Sequence, residues 1–69
     1  MKKHLEEYDC VLASRDINER VKKGTKGCIM LVYDAKNFEV EFFVDNFLGN
    51  FTDVLTVSID DIILDSPPK

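Results

Sequence analysis

The sequence predicts an all-β domain: a small antiparallel barrel of five strands, closed or half-open, with a long first loop and one short helical or 3-10 turn. Three observations carry this expectation. Residues 38–45 alternate at every position but 43, with Phe38, Val40, Phe42 and Val44 on one side and Glu39, Glu41 and Asp45 on the other, the period of a strand with one wet face. Four further short β-prone runs are separated by turn residues. At 69 residues the chain holds one domain, whose edges closure would protect.

The elements follow in order. Residues 1–7 are polar and are expected to form a flexible segment. Residues 8–13 are the first strand, placing Tyr8, Cys10 and Leu12 on one face. Residues 14–26 form a long charged connection that Ile17 and Val21 tack onto the core. Within it Asp16, Ile17, Asn18 and Glu19 resemble a helix start, with Glu19 at the capping-box position. Gly24 and Gly27 permit a tight entry into the second strand, residues 27–33. Residues 34–37 (Asp-Ala-Lys-Asn) make a hairpin turn, and residues 38–45 return as the third strand. Residues 46–50 carry turn chemistry around Gly49, and residues 53–59 are the fourth strand. Ser58 caps one 3-10 or helical turn by accepting from the backbone near Asp61. Residues 62–64 close the sheet, and Pro67-Pro68 end regular structure, leaving 66–69 as a tail. The domain therefore spans residues 8–65.

Composition narrows the function classes. A domain near this size buries only about 60% of its unfolded surface, leaving little room for an enclosed site. The longest apolar run, residues 28–33, is far below the ~20 residues of a membrane helix. The start of the chain does not have the pattern of a signal peptide, so a cytoplasmic location is expected. The net charge of −4 is unevenly spread: residues 1–26 balance at +2 and residues 27–69 at −6. Phosphate recognition needs Lys and Arg, so nucleic acid is an unfavourable partner. The acidic remainder suits a basic protein. Cys10 and Cys28 are expected to be small core residues in a reducing compartment, able to pair only if their strands are neighbours. With His4 they supply too few ligands for zinc, so no metal or cofactor is expected.

The order of residues is also informative. Tyr8-Asp9-x-Val11 leads through a charged loop to Lys23-Gly24-x-x-Gly27, then to an apolar strand ending Val32-Tyr33-Asp34. The third strand follows, then Leu55-Thr56-Val57 and Asp60-Asp61-Ile62. Over residues 8–65 this order is similar to a short bacterial domain-of-unknown-function family, itself like SH3 and KOW barrels. The resemblance implies an SH3-like barrel. Charge departs from the basic pattern of RNA-binding KOW modules. In composition the chain looks like the small acidic immunity proteins of bacterial toxins, including those of contact-dependent growth inhibition. That likeness implies an antitoxin that neutralises a basic toxin domain.

No catalytic constellation emerges, and the protein is not expected to be an enzyme. His4 stands near a terminus. Glu39 and Glu41 lie on a wet face, without the burial that would set their pKa values apart. Gly24-x-x-Gly27 has no following helix or Lys-Ser/Thr and is no phosphate loop. Phe43 alone breaks the alternation, on the wet face between Glu41 and Asp45. Either a bulge, a barrel corner or the long loop covers it, or it is an exposed aromatic anchor in an acidic rim. Phe47, Leu48 and Phe51 pose the same question. The expected partner surface is Glu39, Glu41, Phe43, Asp45, Phe47, Leu48, Asp53, Asp60 and Asp61. The alternatives are a nucleic-acid module using Arg15, Arg20, Lys22, Lys23 and Lys26, or an accessory subunit of a larger complex.

Overall fold

The computed structural model describes residues 5–46 and 49–65. Five antiparallel strands form one sheet: β1 (Cys10–Ala13), β2 (Lys26–Asp34), β3 (Asn37–Asn46), β4 (Gly49–Ser58) and β5 (Ile62–Leu64). A single 3-10 turn, Ile59–Asp61, joins β4 to β5. The spatial order is β4-β3-β2-β1-β5. This is the SH3-like arrangement, in which the last strand returns beside the first. β4 and β5 are the two edges of the hydrogen-bonded order, so the barrel is half-open. Among the described residues no helix is long and apolar enough to cross a membrane.

The alternation of β3 builds the core. Phe38, Val40, Phe42 and Val44 are buried, against Val11 and Ala13 of β1, Ile29 of β2, Val57 of β4 and Ile62 of β5. Each fully buried Phe or Val contributes roughly 1.5–3 kcal/mol. Two register shifts interrupt β2, between Ile29 and Leu31 and between Val32 and Asp34. Each leaves one extra residue, bends the strand and helps the sheet curl. The first keeps Ile29 and Val32 on the core side while Leu31 turns outward opposite Glu39. The apolar run of residues 28–33 is therefore not doubly buried.

Gly27 shows how tightly β2 and β3 approach. A Cβ there would stand 2.9 Å from the Glu41 carbonyl oxygen, from Phe42 Cδ1 and from Val40 Cγ1. Only glycine fits this position opposite Phe42.

The long first loop covers the core without forming a helix. The Asn18 side chain accepts from the backbone N–H groups of Arg20 and Val21 at 2.8 and 2.7 Å. This Asx turn replaces the helical turn expected at residues 16–19. Asp16 Oδ1 accepts from the Lys23 N–H at 2.8 Å, closing the loop on itself. The result drives Val21 into the core with no exposed surface, while Ile17 packs at its margin.

Three other expectations are corrected. β1 begins at Cys10, because Tyr8 takes a positive φ of 70° and Asp9 N–H turns back to the Glu6 carbonyl. Its core face is then Val11 and Ala13, so Cys10 is exposed and Cys28 half-buried rather than core. β4 starts at Gly49, four residues before the expected position, because β3 and β4 pair continuously as far as Asn46 and Gly49. Phe51 therefore lies within β4, opposite Val44, rather than in a loop.

Candidate functional site

The outer face of the sheet follows from the same pairing. Glu39 stands between Leu31 of β2 and Thr56 of β4, Glu41 between Cys28 and Val54, and Phe43 beside Thr52. All of these lie on the side away from the core. Phe43 is 50% exposed, Val54 51%, Leu31 42% and Tyr33 52%. Neither a bulge nor the long loop covers Phe43. The outer face is therefore partly apolar and exposed, and set with carboxylates.

The two glutamates differ in their surroundings. The Tyr33 hydroxyl donates to Glu39 Oε1, and that bond, helped by partial desolvation and the carboxylate charge, holds the Tyr33 pKa above its ordinary value. Glu41 makes no ion pair among the described residues. Among the described residues no lysine or arginine forms an ion pair with either glutamate, which leaves a carboxylate charge on this face.

Asp53 and Asp61 are already engaged. Asp53 falls on the core side of β4 opposite Phe42, where its Oδ2 accepts from Arg20 Nε at 2.7 Å. Its side chain keeps 17% exposure against 63% for the arginine. Asp61 accepts from the Ser58 N–H at 3.0 Å and from its hydroxyl at 3.3 Å. It also accepts from Arg15 Nε at 2.6 Å. Ser58 in turn accepts from Asp60 N–H at 3.3 Å, completing the capping arrangement expected from the sequence. Partial burial disfavours the charged form of Asp61. The Ser58 and Arg15 bonds outweigh it and hold the carboxyl below the usual range.

The remaining expected residues divide by position. Asp60 is exposed on the 3-10 turn, near the Asn37 end of β3 and away from Phe43; its carbonyl accepts from Ser14 Oγ at 2.7 Å. The Asp45 backbone pairs with Asn50, and its side chain, like Phe47 and Leu48, lies outside the described residues. The structure thus brings Glu39, Glu41 and Phe43 onto one surface and adds Leu31, Tyr33 and Val54, which were not among the expected residues. Val54 was recoverable from its place in the fourth strand. Leu31 was not, because the β2 bulge reverses its side.

Among the described residues no group of three or more His, Cys, Asp and Glu side chains is placed to hold a metal. A surface depression of about 200 Å³ is lined by Asn18, Glu19 and Arg20, and its arginine is the one bonded to Asp53. On the basic loop, Arg15 and Arg20 point to Asp61 and Asp53, while Lys22, Lys23 and Lys26 are exposed.

No curated protein and no solved structure matches the chain. Residues 7–64 match the family described as Domain of unknown function (DUF4926), which covers most of the sequence and the whole barrel, so the chain belongs to that family.

Proposed function

We propose that this domain is a non-catalytic protein-binding module whose docking surface is the outer face of β2, β3 and β4. The observation that carries the reading is Phe43, half exposed beside two glutamates that form no ion pair among the described residues. Aromatic side chains at the centre of such a patch supply most of the binding energy of an interface. Carboxylates beside them steer association and select the sign of the partner. With a balance of −6 over residues 27–69, the partner is a basic protein, and a cationic toxin domain neutralised by this module is the kind its composition suits.

Two features favour this reading over nucleic-acid binding by the first loop. Arg15 and Arg20, two of the five cations that reading needs, already serve internal carboxylates. The apolar outer face would be left without a role. Titration with duplex and single-stranded nucleic acid at modest salt tests the choice. The proposal expects no complex there, and a salt-sensitive complex that Lys22→Glu plus Lys23→Glu abolishes would replace it.

A further inference from the structure

We infer that Cys10 and Cys28 are a redox-modification site, two thiols that close into a reversible disulfide across β1 and β2. The inference does not rest on the proposed function. The two residues are direct partners in the antiparallel register. Their phase in the ladder is set by the bonds around them: Ile29 N–H donates to the Asp9 carbonyl at 3.0 Å and Ala13 N–H to the Thr25 carbonyl at 2.8 Å. Hydrogen-bonded pairs alternate with non-bonded ones along such a ladder, so positions 10 and 28 form a non-hydrogen-bonded pair. The Cys10 carbonyl confirms this phase, because it accepts from the Asp65 N–H at 2.8 Å on the opposite side of β1.

In a non-hydrogen-bonded pair the Cα atoms lie about 4.5 Å apart and the side chains stand closest. That spacing falls at the short end of the ~4.4–6.8 Å range spanned by disulfides. A bond made there needs no strand movement, and with Cys10 exposed it belongs to the readily reduced class rather than the structural one. Both cysteines are free thiols, one exposed and one half-buried.

The asymmetry gives the order of events. Exposed Cys10 meets the oxidant first. Cys28 is held back: burial, together with the neighbouring Cys10, Glu41 and Asp9, keeps its thiol pKa up, and its Sγ–H points to the Ile29 carbonyl at 3.9 Å. With a low-molecular-weight disulfide such as oxidised glutathione, the Cys10 thiol gives its proton to solvent. Its thiolate attacks one sulfur of the oxidant, breaks that S–S bond and expels one glutathione thiolate. Cys28 then loses its proton and attacks Cys10 Sγ in the mixed disulfide, expelling the second thiolate. The two cysteines are oxidised, one oxidant disulfide is reduced, and the two protons end on the two glutathione thiols.

The test uses the full chain in glutathione buffers of increasing oxidation, quenched with acid, alkylated and weighed intact. Alkylatable thiols should fall from two to none with loss of two hydrogen masses, and peptide mapping should join residues 10 and 28 within one chain. Cys10→Ser should retain Cys28 as a free or singly glutathionylated thiol. The ratio of linked to glutathionylated protein should fall at least about tenfold when the reaction is run in urea, because only the fold holds the sulfurs together. Glutathione adducts that never resolve, links between two chains, or a ratio indifferent to urea would overturn the assignment.

Discussion

Arg15 Nε donates to Asp61 Oδ1 at 2.6 Å, joining the start of the first loop to the 3-10 turn that lies 46 residues further along the chain. Arg20 makes the matching contact from the other side of the loop, to Asp53 of β4. Val21, the residue after Arg20, enters the core. The loop is therefore a cover strapped at two points, to β4 through Arg20 and to the 3-10 turn before β5 through Arg15.

Asp61 is the more heavily used carboxylate, and its removal should be felt. Asp61→Ala takes away the cap on the 3-10 turn together with the Arg15 contact, and should cost about 1–2 kcal/mol in urea unfolding. Its folded pKa lies below the ordinary value. The stability it contributes is thus present above the unfolded carboxyl value, near pH 4, and lost as pH falls through the folded one. Asp61→Asn should be less stable than the parent at neutral pH and converge with it in acid. Parallel unfolding curves across that range would contradict the assignment.

Val21 tests whether the loop is part of the core. It has no exposed surface, so Val21→Ala should lower stability by about 2 kcal/mol through lost burial and the space left behind. Lys22→Ala, one residue on and exposed, should change thermal unfolding little.

Gly27→Ala places a methyl group against the Glu41 carbonyl, Phe42 and Val40, all at 2.9 Å. Overpacking of this kind costs roughly 1–3 kcal/mol, and chemical denaturation should show a loss in that range. A substitution tolerated without cost would mean that β2 and β3 separate more easily than their register implies.

The sequence legibly carried the core of β3, the chain of five strands and the capped 3-10 turn, because alternation and a Ser-x-x-Asp spacing are local signals. Where it misled, the cause was non-local or sub-local. Apolar residues occur at both parities of residues 8–13, and only the positive φ at Tyr8 and the pairing to β2 decide that Val11 and Ala13 face inward. Residues 46–50 are rich in turn formers, yet the β3–β4 ladder runs through most of them. The outward turn of Leu31 depends on a bulge that no propensity signals. Of the candidate site, Glu39, Glu41 and Phe43 were visible from alternation alone. The engagement of Asp53 and Asp61 was not, since it depends on where a long loop returns.

Tyr33 reports on the outer face directly. Tyr8 and Tyr33 are the two tyrosines, so Tyr8→Phe leaves Tyr33 as the sole phenol for ultraviolet titration. Its pKa should lie above about 10, the usual tyrosine value, because the hydroxyl donates to Glu39. That hydrogen bond stabilises the fold below pH ~10 and is lost as pH rises through the raised value. Adding Glu39→Ala should lower the titration towards its ordinary position, with an unchanged curve counting against the contact.

Docking on the outer face of β2, β3 and β4 is tested by binding to the proteins encoded by the flanking genes, followed by calorimetry at low and high salt. A complex with a basic domain that weakens as salt rises is expected. Phe43→Ser, and separately Glu41→Lys, should each weaken it at least tenfold, about 1.4 kcal/mol or more, with thermal unfolding of the free variants little changed. Absence of any such complex, or an affinity indifferent to Phe43 and to Glu41, would contradict the assignment of this face as the docking surface.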